Sequence, residues 1–150
     1  MKAVDQSRAA PALTLYNRQR TVRAPLSALR DFAVRAVPEC LKIRGRKTSA
    51  LRELEEVSVI LVSDRRMAAL HRCFLGLSGP TDVITFQHGE IFISIETARK
   101  NARRFGTSVG HELRLYIAHG LLHLHGFDDK DRRGAAEMKR AQEKLVAAVG

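Results

Sequence analysis

The stretch His119-Gly-Leu-Leu-His-Leu-His-Gly-Phe-Asp-Asp129 holds three of the six histidines of the chain and two carboxylates inside an otherwise apolar run. His119 and His123 are four residues apart. On a helix that spacing puts both imidazoles on one face, one turn from each other, where they can share a metal ion. Gly126 breaks the helix and lets the chain turn back, so Asp128 or Asp129 can approach the same point. Two helical histidines with a third ligand from the following turn make a plausible metal centre. The competing reading is a buried helix whose histidines each make one hydrogen bond. For a pair at ligand spacing, in a helix this apolar, unpartnered imidazoles would be costly, and the metal reading is the better one.

Neighbouring residues narrow the chemistry. Zinc proteases carry His-Glu-x-x-His, in which the Glu is the general base. Gly120 stands at that position here, which argues against a protease. A mid-helix Gly costs about 1 kcal/mol relative to Ala, so a substrate or backbone is expected to come close to it. His125, two residues past His123, points to another side of the helix and is a poor candidate ligand. His111, two turns before His119, lies where it would line the same groove. His71 and His88 read as surface or turn residues.

The elements that must position these groups follow from pattern. Leu13–Asn17 alternates like a short strand. Leu26, Leu29, Ala33 and Val37 form a helical stripe after Pro25, and Pro38 is expected to limit it. Residues 41–49 are basic and poor in apolar side chains, and read as a loop. Val57-Ser-Val-Ile-Leu-Val-Ser63 is a β-branched strand. Asp64 is placed to cap a helix reaching about Phe74. Gly76, Gly79 and Pro80 mark a loop. Val83–Phe86 and Ile91–Ile95 flank a turn and predict a hairpin. Glu96 or Thr97 opens a basic helix ending near Gly106, Ser108 caps the histidine helix, and residues 132–149 form a last amphipathic helix. Residues 1–12 read as a disordered start. The expected fold is one α/β (α+β) domain over residues 1–150. It has a small mixed sheet of about four strands, about five helices, and the metal-binding helix in the C-terminal third.

Composition bounds the partners. The net charge is +10 at pH 7, from 26 Lys+Arg against 16 Asp+Glu. That excess favours polyanions, nucleic acid above all. It is clustered: Arg18, Arg20 and Arg23; Lys42, Arg44, Arg46 and Lys47; Arg99, Lys100, Arg103 and Arg104. No apolar run approaches the roughly 20 residues of a membrane span, and the first residues lack the apolar segment of a secretory signal. A cytoplasmic protein without a membrane partner is expected. Cys40 and Cys73 form no Cys-x-x-Cys pair and read as free, at least partly buried thiols.

The histidine segment resembles the hallmark of the YbeY family, His-Gly-x-Leu-His-Leu-x-Gly-x-Asp-His. Every position agrees except the last, where Asp129 replaces the third histidine. A second family block, Leu-Asn-x-x-Tyr-Arg followed by Pro-Thr-Asp/Asn-Val-Leu-Ser-Phe, corresponds to Leu70-His71-Arg72-Cys73-Phe74-Leu75 and Pro80-Thr81-Asp82-Val83-Ile84-Thr85-Phe86. A third, Gly-Asp-Ile, is Gly89-Glu90-Ile91. The similarity runs from about Val57 to Asp131.

The resemblance implies a metal-dependent endoribonuclease that cuts single-stranded RNA in ribosomal RNA maturation, at the 3′ end of the small-subunit RNA, with a part in ribosome quality control. It implies one bound ion, Zn2+ before Mn2+ or Fe2+, held by His119, His123 and Asp129, with a fourth position for the water that does the chemistry. Carboxylate oxygen is an acceptable zinc ligand at nearly the same distance as imidazole. Two histidines and a carboxylate are also the iron triad of oxygenases, but those ligands normally sit on a β scaffold, and a hydrolase ranks well ahead. No general acid or base is identified, and Asp128 either steadies a ligand from behind or caps the turn. The arginine that the family associates with activity on RNA is Leu75 here. Arg72, Arg99, Lys100, Arg103 and Arg104 are the candidate RNA-backbone contacts. The implied partners are ribosomal RNA and the small subunit, with ribosomal or GTPase proteins. The alternatives are a ribosome-associated RNA-binding maturation factor with weak or no nuclease activity, another zinc hydrolase, and a plain α/β domain with buried histidines.

Overall fold

The structure is a computed structural model that describes residues 9–45, 48–79 and 81–150. The first eight residues, Arg46, Lys47 and Pro80 lie outside it, and with them most of the expected disordered start and half of the second basic cluster. In chain order the elements are β1 (Ala12–Asn17), α1 (Leu26–Leu41), α2 (Ala50–Glu53), β2 (Glu56–Val62), α3 (Asp64–Leu75), β3 (Val83–Phe86), β4 (Glu90–Ser94), α4 (Ile95–Phe105), α5 (Val109–Leu124) and α6 (Arg132–Val149). The strands form one mixed sheet in the order β1-β2-β4-β3. β1 and β2, and β2 and β4, pair in parallel, while β3 and β4 form the expected antiparallel hairpin.

Alternation along the strands divides the core in two. Val57, Val59 and Leu61 of β2 and Ile91 and Ile93 of β4 face a large cluster with Leu29, Phe32, Ala33, Leu113, Ile117, Leu121, Met138 and Leu145 of α1, α5 and α6. Ile60, Val62, Ile84, Phe86 and Phe92 face the other way and are covered by Met67 and Leu70 of α3. α5 is therefore buried on most of its circumference, which is why its sequence is apolar nearly all round.

Several boundaries differ from expectation, each for a local reason. α1 continues through Pro38 to Leu41. Pro38 and Val34, whose carbonyl loses its partner to the ring, both lie on the exposed side, where water can serve that carbonyl. The basic loop ends at Ser49, whose hydroxyl accepts from Arg52 N and caps a short further helix, α2, that the sequence pattern does not show. Six helices are therefore present among the described residues. Ser63, rather than Asp64, caps α3 by accepting from Arg66 N. α4 starts at Ile95, one residue before Glu96, because Ser94 caps it, accepting from Thr97 N. Ala12, expected in the disordered start, is already the first residue of β1 and pairs with Glu56. Cys40 is fully buried and its thiol is pushed up to about 12 by burial, with Arg52 opposing; Cys73 is exposed, against the expectation that both thiols are at least partly buried.

Asp64 has a different task from capping. Its backbone N–H donates to Glu96 Oε1 at 3.0 Å. One carboxylate oxygen accepts from the Ser94 and Thr97 hydroxyls and the other from Lys100 Nζ at 2.8 Å. The cluster joins the first turns of α3 and α4 where β2 and β4 end. Burial opposes ionisation of Asp64, but the hydrogen bonds from Lys100, Ser94 and Thr97 together hold its carboxyl below the usual value.

Candidate metal centre

α5 reaches its position through two features of its own sequence. Ser108 caps its start by accepting from His111 N at 3.0 Å, as expected. Gly120 lets it press on the sheet: a Cβ added there would lie 2.6 Å from Ile91 Cγ2 and 2.9 Å from Ile91 Cδ1. The close approach anticipated at Gly120 is thus to a core side chain of β4, not to a substrate or backbone.

After Leu124 the chain turns at Gly126, whose φ of 93° lies in the region that favours glycine. Phe127 N donates back to Leu122 O at 2.9 Å, closing the end of the helix. Asp128 Oδ1 then accepts from Lys130 N at 2.9 Å, and Asp131 caps α6 by accepting from Gly134 N at 2.6 Å. That contact is the turn-capping one of the two readings of Asp128. The turn delivers Asp129 back over the helix face.

His119, His123 and Asp129 meet there, each offering one ligand atom, with all of these atoms within 4.8 Å of one another. The two Nε2 atoms are 3.0 Å apart. Asp129 Oδ2 is 3.6 Å from His119 Nε2 and Oδ1 is 3.5 Å from His123 Nε2. A tetrahedral ion with bonds of about 2.0–2.1 Å separates its ligand atoms by about 3.3–3.4 Å. The observed separations, taken with a different Asp129 oxygen toward each imidazole, bracket that value. The side chains are about one quarter exposed for the histidines and 42% exposed for Asp129, so the site opens to solvent on the carboxylate side. Burial lowers the pKa of His123, and His119 beside it adds to the effect, against opposing influences of Asp129, Asp128 and the Phe127 backbone. A neutral imidazole is the form that binds a metal. His119 Nδ1 lies 2.7 Å from Gln142 Oε1 on α6. With that nitrogen engaged, Nε2 is left to face His123 and Asp129. A nitrogen lone pair, a second imidazole nitrogen and a carboxylate converging on one point are a donor set that suits a divalent cation.

The remaining candidates are dispersed. His125 is 2% exposed and structural. Its Nε2–H donates to Ile43 O at 2.5 Å, and its Nδ1 lies 2.7 Å from the Ser49 hydroxyl. Burial lowers its pKa, with Arg52 adding and the Ile43 hydrogen bond opposing. It ties the loop before α2 to the end of α5, and Gly45 fits there because a Cβ would lie 2.7 Å from His125 O. Nothing in the spacing of His125 distinguishes this role; only its burial does. His111 lines a groove between α5 and α6 that also holds Leu115, Lys139, Gln142 and Val146. His71 Nδ1 meets Gly79 O at 2.9 Å and His88 pairs with Glu90.

The five basic candidates lie on two other helices. Arg72 is exposed on α3, across the sheet from α5. Arg99, Lys100, Arg103 and Arg104 are on α4. Lys100 is engaged with Asp64, and the Arg104 guanidinium sits 5.2 Å from the Phe105 ring centre. Leu75 is 53% exposed, beside Phe74 and Leu77, which are also exposed. Phe74 makes an edge contact with Phe86, and Phe86 stacks with His88. No described helix is long and apolar enough to cross a membrane.

The chain is similar to known proteins in sequence and in fold. The chain is 40% identical over 105 residues to the endoribonuclease YbeY of Anaeromyxobacter sp. (strain Fw109-5), covering 63% of this chain and 55% of the relative. It is 36% identical over 114 residues to that of Moorella thermoacetica, covering 63% and 73% respectively. It therefore spans little more than half the length of the first relative. The solution structure of TM1509 from Thermotoga maritima superposes with a TM-score of 0.61 at 29% identity, over 91% of this chain and 88% of that one. The family model described as endoribonuclease YbeY matches residues 14–150, a span that includes the whole sheet but for the first two residues of β1, every helix and all three converging side chains: the chain belongs to the endoribonuclease YbeY family.

Proposed function

We propose that this protein is a metal-dependent endoribonuclease acting on single-stranded RNA, in maturation of the small-subunit ribosomal RNA 3′ end. The observation that carries the reading is the convergence of His119, His123 and Asp129, at separations that suit one tetrahedral ion. Zinc is the ion that best suits two imidazoles and a carboxylate in that arrangement. Bound there with its fourth position open, it would supply a Lewis acid for a phosphoryl oxygen and an acidic water at neutral pH.

The chain's own groups do the rest. The apolar packing of α5 fixes the two imidazoles on a backbone that cannot retreat. Asp129 closes the site from the turn and contributes the one negative charge, leaving a bound divalent ion net positive toward a phosphodiester. The partly exposed mouth at Asp129 admits a chain-like substrate. Exposed arginines of α3 and α4 hold phosphates at a distance from the cut, with an affinity that falls with salt. A cytoplasmic setting and ribosomal or GTPase protein partners accompany this proposal.

The test is cleavage of a defined single-stranded RNA by the pure protein, with duplex RNA as control, before and after chelation. Cleavage restored by zinc and abolished in both His119→Ala and His123→Ala supports the proposal. Exposed Leu75, at the place of the family's arginine, favours a second reading: an RNA-binding maturation factor with little nuclease activity. Tight RNA binding without cleavage in the same assay would establish that reading instead.

A further inference from the structure

We propose that Gln142 is a positioning residue for the metal-binding pair, holding His119 in the tautomer that presents the Nε2 lone pair to the ion. The inference rests on the metal reading of His119, His123 and Asp129, and extends it to a residue outside the histidine motif.

Three observations carry it. The contact is direct, with 2.7 Å between His119 Nδ1 and the amide oxygen of Gln142. An amide oxygen only accepts, so Nδ1 carries a proton toward it, and in the neutral ring that leaves the lone pair on Nε2. The position is otherwise one for an apolar residue. Met138, Leu145 and Val149 are buried on the same face of α6, and 138, 142, 145 and 149 follow the four-three-four spacing of a helix packed on a neighbour. Gln142 is the polar exception in that row, half-buried and aimed at α5. The helix that carries it is held at both ends. Asp131 caps its start, and Arg35 of α1 donates to Val149 O at 3.0 Å at its finish. Asp129 enters from the turn immediately before the same helix, so one rigid element sets both the third ligand and the partner of the first.

The choice of an amide has a chemical consequence. A carboxylate at this place would draw on the Nδ1 proton and make Nε2 a stronger base, and it would add a second negative charge beside Asp129. Gln supplies the orientation without the charge. The ion keeps more of its positive charge for a phosphodiester than it would with a Glu partner.

The experiment compares zinc affinity, by competition with a chromophoric chelator, in the full chain and in Gln142→Leu and Gln142→Glu. Loss of such a partner costs roughly ten- to a hundredfold in metal affinity. Gln142→Leu is expected to bind zinc weaker by that factor, while the unfolding midpoint of the zinc-free protein is unchanged or higher, since Leu suits the apolar row. Gln142→Glu is expected to bind at least as tightly as the parent. Nitrogen-15 spectra of the zinc-loaded parent should show His119 protonated at Nδ1 and bound through Nε2. Equal zinc affinity in the parent and Gln142→Leu overturns the role of Gln142, as does coordination through Nδ1. A folded parent that binds no zinc at all overturns the metal reading itself, and this proposal with it. A weaker Gln142→Leu whose zinc-free form is also destabilised, with no recovery in Gln142→Glu, shows a packing role and overturns the proposal.

Discussion

Replacement of Gly120 by Ala sets two effects of opposite sign against each other. In an open helix the change stabilises by about 1 kcal/mol, because Ala is the best helix former and Gly among the worst. Here the new methyl would meet Ile91 Cγ2 at 2.6 Å, Cδ1 at 2.9 Å and Cγ1 at 3.1 Å. Ile91 is fully buried and sits on β4, between β2 and β3, so it has nowhere to go. Forcing an extra carbon into a packed core costs about 1–3 kcal/mol, and three contacts this short place the cost at the upper end. The expected net effect of Gly120→Ala is a loss of about 1–2 kcal/mol, with α5 lifted from the sheet next to His119. The assay is equilibrium unfolding in urea, in chelator, on four proteins: parent, Gly120→Ala, Ile91→Ala and the double variant. Ile91→Ala alone should cost about 2–5 kcal/mol through the cavity it leaves. In that background the added methyl has room, and Gly120→Ala should become neutral or stabilising by up to about 1 kcal/mol. If Gly120→Ala stabilises the parent, or costs the same with and without Ile91, the packing argument is refuted.

Three other outcomes are expected. Zinc should raise the unfolding free energy of the parent by about 2.7 kcal/mol at one hundred times its dissociation constant, and chelator should remove the gain; His119→Ala and Asp129→Ala should show little or none of it in the same titration. His125→Ala should destabilise by about 2–4 kcal/mol, through a buried cavity and the stranding of Ile43 O and the Ser49 hydroxyl, and Ser49→Ala by less; an effect of His125→Ala below about 1 kcal/mol in urea unfolding would show that the strut is dispensable. The Asp64 carboxyl has a pKa below its unfolded value, so its ionised form is the one the fold favours. Its contribution is complete above about pH 4, near the unfolded value, and is lost as pH falls through the folded value. Asp64→Asn should therefore be less stable than the parent at neutral pH, and the gap should narrow below pH 4, as read from thermal midpoints; a gap independent of pH would contradict the assignment.

The parts of the fold legible in the sequence are those where one local pattern sufficed. The β-branched run of β2, the hairpin of β3 and β4, the Ser108 cap and the amphipathic stripe of α6 are each visible within a few residues of chain. The misses share a cause, since each depended on a neighbour distant in sequence. Pro38 is tolerated because of which side of α1 faces water. Ser63 and Ser94 took the caps because Asp64 and Glu96 bind each other's helices. α2 exists because Ser49 is anchored to His125, which lies 76 residues on.

For the candidate metal centre, the sequence by itself determined the candidate ligand types and the first edge of the site. A four-residue spacing on a helix puts His119 and His123 within reach of one ion whatever surrounds them, and Gly126 permits the return of the chain. Sequence resemblance singled out Asp129, and the turn geometry brings it to 3.5 and 3.6 Å from the two imidazoles. Only the tertiary structure decided what supports these groups. The Ile91 side chain under Gly120, the loop clasped by His125 and the Gln142 amide behind His119 join residues far apart along the chain. Helical periodicity fixes angles within one element, but the distance between two elements is set by the side chains packed between them.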